Sequence, residues 1–147
     1  MSTQPTTFEE LKNLIYSGKL GKTNLTFGNQ TLYEAYIQFV PKETRDAILE
    51  IQKSYNSLKV GTYRSSFTEN SFPYDLLLEN LPQVKHCLLW HKEWYTNDIE
   101  IQDMARIWIK ALYGQDLDFC YLVNDPNSRS IKDKPHAHIF INFEYFR

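Results

Sequence analysis

Apolar positions along this chain follow two different rhythms. In the N-terminal third and again near residue 100 they recur every three or four residues, the period of a helix with one buried face. In three short runs of the C-terminal half they are continuous or alternate, as strands do. The first helix is expected to begin at Thr7. Thr7 and Glu10 form a capping-box pair, Phe8, Leu11, Leu14 and Ile15 share a face, and Gly18 supplies the stop. A second pair, Thr31 with Glu34, opens a stretch whose face is Leu32, Ala35, Tyr36 and Phe39. Pro41 interrupts it, since proline lacks the N–H and clashes with the preceding turn. A further helix is expected from Lys42 to Leu58, with Ala47, Ile48, Ile51, Tyr55 and Leu58 as its stripe.

Residues 60–82 show no sustained period and read as a long, ordered connection with aromatic anchors. The run "VKHCLLWH" at 84–91 is short, apolar and bounded by turn residues, which predicts a buried strand. The pattern over 98–113 predicts the clearest helix, capped by Asn97 with Glu100, striped by Ile101, Met104, Ala105, Trp108 and Leu112, and ended by Gly114. "LDFCYLVN" at 117–124 and "HAHIFINF" at 136–143 predict two more strands. The order strand, helix, strand, strand implies an α+β fold. We expect a single domain in which a small mixed or antiparallel β-sheet packs against several helices on one face, with residues 1–6 as a flexible tail.

Composition narrows this picture. At 147 residues the chain is one domain's length, enough to bury roughly two-thirds of its extended surface. The formal net charge of −2, with no dense run of Lys or Arg, argues against nucleic acid as a partner. No run approaches the roughly 18 apolar residues of a membrane helix, and no secretory or transit pattern opens the chain, so a cytoplasmic protein without a membrane partner is expected. Cys87 and Cys120 each lie in an apolar run and read as core thiols. Both are in predicted strands, so a disulfide between them is conceivable.

The candidate chemistry lies on the strands. Side chains alternate across a strand, so His136, His138, Phe140 and Asn142 share one face, and Ala137, Ile139, Ile141 and Phe143 share the other, the core face. The histidine face is more polar and points to solvent, a cleft or another layer. In the earlier strand His86, Leu88 and Trp90 share a face. If the two strands are neighbours, His86 meets the histidine pair. Three imidazoles so placed suit acid–base or phosphoryl chemistry, or a divalent metal with an open position. Polar partners are available in the loops. Arg129 has a fork suited to phosphate or carboxylate, and Ser130 lies beside it. Asn70 and Tyr74 lie in "ENSFPY", and Trp94 can stack on a ring.

These residues carry a resemblance. "FPYDLLLENLPQVKHCLLW" followed by "NDPNSRSIKDKPHAHIFIN" resembles the fungal N-acetylglucosamine-induced protein family, a domain of unknown function. The matching positions are Phe72, Pro73 and Tyr74, then His86 and Trp90, then the loop from Asn124 to Pro126, Ser130 with Ile131, and His136 with His138. An Asp intervenes between Asn124 and Pro126, and Lys132 and Asp133 are more charged than that pattern. The resemblance implies a cytosolic protein linked to N-acetylglucosamine metabolism, and it carries no assigned catalytic residue or cofactor. HIT-type nucleotide hydrolases also alternate histidines on a strand, but the third histidine they need is Phe140 here.

Three readings follow. In the first, His86, His136 and His138 act as acid, base or anion contacts on a sugar phosphate or sugar nucleotide, with Arg129, Ser130, Asn70, Tyr74 and Trp94 as binding residues. The second is a non-enzymatic regulatory module with a protein partner. The third is a hydrolase with a histidine-ligated metal.

Overall fold

The computed structural model describes residues 5–17, 38–47, 58–60, 63–69, 78, 80–91, 98–123 and 136–147. Helix α1 (Phe8–Tyr16) starts where Thr7 leaves extended backbone and its hydroxyl accepts the Glu10 N–H at 3.1 Å. The Glu10 carboxylate reaches further back than the expected box, to the N–H and hydroxyl of Thr6 at 2.9 and 3.0 Å. The bonds from Thr6, its backbone N–H first, hold this exposed carboxyl below its ordinary pKa. Thr6 is therefore tied to the helix, and Pro5 beside it is buried. Helical residues 38–39 and 42–47 flank a break at Pro41, as expected. Phe39 and Ala47, both assigned to apolar faces by their spacing, are exposed. Gly18, Thr31, Glu34 and Asn97 lie outside the described residues.

Five strands follow among the described residues: β1 (Leu58–Val60), β2 (Tyr63–Glu69), β3 (Val84–His91), β4 (Phe119–Leu122) and β5 (His136–Asn142). Helix α2 (Asp98–Tyr113) connects β3 to β4. The strands form one sheet in the order β1-β2-β3-β5-β4, and every neighbouring pair is antiparallel. The architecture is α+β.

Two sequence expectations need correction here. Leu58 begins a strand rather than ending a helix, and the supposed connection over residues 60–82 contains strand β2, which pairs with β1. The hydrophobic pattern does not mark this strand, because in "YRSSFTE" the one large non-polar side chain is Phe67. Its hydroxyls take the place of the missing apolar residues. Ser65 is buried and accepts the Trp108 indole N–H at 2.7 Å, and Thr68 accepts that of Trp90 at 3.3 Å. A polar residue with a fixed buried partner belongs to the core as much as an apolar one.

The second correction concerns the layers. One sheet face carries Phe67, Cys87, Leu89, Ala137, Ile139 and Ile141, packed against Ile101, Met104, Ala105, Trp108 and Ile109 of α2. The other carries Val84, Cys120 and Phe140, packed against Phe8, Leu11 and Ile15 of α1. Helices therefore cover both faces rather than one, and the histidine face is a second core layer. On α2 the buried stripe runs through Ile109, while Leu112 in the last turn is 46% exposed. Cys87 and Cys120 lie on opposite faces, which excludes a disulfide between them. Both are free, and burial pushes each thiol up to about 12, so they are inert core groups.

Gly114 ends α2 with φ +71, a conformation that costs little only for a residue without Cβ. A Cβ there would meet nothing within 4 Å, so the cost of replacement is backbone strain alone. Gly114→Ala is expected to lower stability by about 1 kcal/mol in urea unfolding, with an unchanged m-value.

Candidate functional site

Antiparallel register decides which histidines meet. In the β3–β5 pair, His86 lies opposite Phe140, Leu88 opposite His138, and Trp90 opposite His136. Directly opposite residues share a face. Diagonal neighbours two positions away remain within reach of long or aromatic side chains. The result is a row of rings across the two strands in the order Phe140, His86, His138, His136, Trp90. His86 stacks on Phe140 at 4.5 Å between centroids, and the His86 and His138 rings are 5.1 Å apart. His136 meets His138 edge-on at 5.3 Å and Trp90 at 5.2 Å. The expected meeting of His86 with the pair is thus present, and it is a direct bond: His86 Nε2 lies 2.8 Å from His138 Nδ1.

That bond has consequences. One of the two nitrogens donates and the other accepts, so a proton lies between the two rings. His86 and His136 are each 5% exposed, and His138 is half-buried. Desolvation first, then the neighbouring His86 and His136, hold His138 well below the ordinary value of 6.5. At neutral pH His138 is therefore uncharged. It can take up or release a proton through a partner behind it, which is the machinery of acid–base work.

Among the described residues no group of three or more His, Cys, Asp or Glu side chains is placed to hold a metal ion.

Of the residues singled out by sequence, His86, His136 and His138 come together and Trp90 joins them in the core. Arg129, Ser130, Asn70, Tyr74 and Trp94 lie outside the described residues. His91, the fourth histidine, sits on the opposite sheet face, buried and paired in register with Ser65. A separate cleft along β4 carries Lys12, Tyr16, Gln102 and Arg106, none of which the sequence motifs had marked. They are spread over two helices, and only the closed fold assembles them.

With this geometry in view, comparison with known proteins adds one likeness. The crystal structure of HTC1 is similar over 92% of this chain and 84% of that chain, with a TM-score of 0.54 and 21% identity. It supports the fold. No protein-family model matches the chain, and no curated protein is similar to it. None of the described helices is long and apolar enough to cross a membrane.

Proposed function

We propose that this protein binds a sugar phosphate or sugar nucleotide at His138, with His86 behind it as proton partner. The observation that carries this reading is the 2.8 Å contact between the two imidazoles, of which that of His138 belongs to the less buried residue. A neutral imidazole backed by a second one can exchange a proton with a ligand without leaving an isolated charge in the core. The resemblance to the N-acetylglucosamine-induced family supports the ligand class, because its matching positions include His86, Trp90, His136 and His138. Arg129 and Ser130 then serve as phosphate contacts, and Asn70, Tyr74 and Trp94 as contacts to the rings. The two free, buried thiols fit a reducing compartment such as the cytoplasm.

Calorimetric titration with UDP-N-acetylglucosamine, N-acetylglucosamine phosphates and mononucleotides tests the reading. We expect saturable binding of at least one of them, weakened about tenfold or more in His138→Gln, the loss of a hydrogen bond to a charged group. Absence of binding at millimolar ligand would sink it. The burial of His86 and His136 between Phe140 and Trp90 favours a second reading, a non-enzymatic interaction module in which the imidazoles are structural. Full cellular function in a stable His136→Ala, His138→Ala double variant would decide for that second reading.

A further inference from the structure

Among the described residues β4 is the last strand in the sheet order, with β5 on one side and no strand on the other. Its register pairs Phe119 with Ile141 and Tyr121 with Ile139, and the Asn142 N–H donates to the Asp118 carbonyl at 2.9 Å. Hydrogen bonds alternate along an antiparallel strand, so residues 118, 120 and 122 aim their backbone groups at β5. Phe119 and Tyr121 aim theirs outward. A row of outward N–H and C=O groups is a template for pairing with another chain. The space beside it is open. A cleft of about 740 Å³ runs along β4, between Lys12 and Tyr16 of α1 on one side and Gln102, Arg106 and Asp116 on the other.

Both outward donors are taken by side chains. The Phe119 N–H donates to the Asp118 carboxylate at 3.0 Å, and the Tyr121 N–H to the Tyr16 hydroxyl at 3.3 Å. Each acceptor is itself held. Lys12 binds Asp118 at 2.9 Å, and the Tyr16 ring meets the Tyr121 ring edge-on at 5.6 Å. The second contact is a reach around the strand. α1 packs on the sheet face that carries Cys120, whereas Tyr121 packs with the α2 core on the other face. Tyr16 meets the Tyr121 ring by passing the outer edge of β4. From the α2 side, Gln102 donates to the Tyr121 hydroxyl at 3.2 Å. Lys12 and Tyr16 are one helical turn apart, so a single stripe of α1 supplies one cap and anchors the other.

We propose that Asp118 and Tyr16 are edge caps, which keep β4 from pairing with the β4 of a second copy of this chain. The strand itself names the occupant they exclude. Two copies of β4 laid antiparallel about Cys120 place each Phe119 opposite a Tyr121. Each such pair exchanges two backbone bonds across a twofold axis, and one sheet then runs through both copies. With the caps in place both donors are spent, and the match fails on its N–H side. None of the histidines lines this cleft, so the test succeeds or fails independently of the sugar-ligand reading.

Hydrogen exchange tests the caps, and sedimentation velocity with NMR tests what they exclude. In the wild type the amides of Phe119 and Tyr121 should exchange about tenfold or more below the unprotected rate, and Tyr16→Phe should release Tyr121 alone. The double variant Tyr16→Phe, Asp118→Ala keeps the ring on Tyr121 and changes only exposed groups, so it spares the core. It should gain a concentration-dependent monomer–dimer step that the wild type lacks, with dilution shifts in its NMR spectrum confined to residues 118–122. Tyr16→Ala, Asp118→Ala also clears the ring from the edge and should associate more tightly. Unprotected amides at 119 and 121 in the wild type would overturn the proposal, as would double variants that sediment like the wild type at every concentration.

Discussion

Trp108→Ala is expected to lower the unfolding free energy by about 3–5 kcal/mol, the range for truncating a buried aromatic. Trp108 is 4% exposed and lies in the α2-facing core, stacked on Phe67 with centroids 5.8 Å apart. Its indole N–H also bonds Ser65 at 2.7 Å. Truncation removes the ring, opens a cavity between α2 and β2, and leaves a buried hydroxyl without its donor. Since domains of this size have roughly 5–15 kcal/mol of total stability, the variant should stand near the edge of folding. Denaturant titration of Trp108→Phe beside it separates the contributions: the phenyl ring restores most of the packing but not the bond to Ser65. A Trp108→Ala midpoint close to that of the wild type would show that α2 does not hold the sheet as described.

The second large effect is on pH dependence. Burial and two neighbouring imidazoles depress the pKa of His138, so the folded chain binds fewer protons than the unfolded one at acidic pH. Stability therefore rises with pH wherever the unfolded histidine is protonated and the folded one is not. The contribution of His138 is complete above its ordinary value of 6.5 and is lost as pH falls below it. From about pH 7 to about pH 5 this linkage removes up to about 2 kcal/mol, at roughly 1.4 kcal/mol per unit below the unfolded pKa. Urea unfolding of the wild type and of His138→Gln across this range isolates the effect, because the other titrating groups are common to both. The wild type should lose stability more steeply, and parallel profiles would contradict the account.

Period-two alternation makes the histidine row legible in the sequence. It put His136 and His138 on one face of their strand and His86 with Trp90 on one face of another. It could not supply the register, and register turns shared faces into a 2.8 Å bond between particular nitrogens. The histidine face looked wet because imidazole counts as polar. In the structure α1 covers its Phe140 end, and the rings pack on one another. β2 was missed for a related reason, since hydrophobic pattern does not register a buried Ser65 that serves an indole. Leu112 fits the apolar stripe of α2, yet a helical period says nothing about where the sheet beneath the helix stops. The β4 cleft left no mark in sequence because Lys12, Arg106 and Asp116 are remote from one another along the chain.

The functional reading rests on His138 being held uncharged by its burial and by the neighbouring His86 and His136. Proton NMR of the histidine ring signals across an acid titration, assigned with His138→Gln, measures this directly. The account predicts that the His138 resonance passes through neutral and mildly acidic pH without shifting and titrates well below 6.5. A midpoint at or above 6.5 would contradict it.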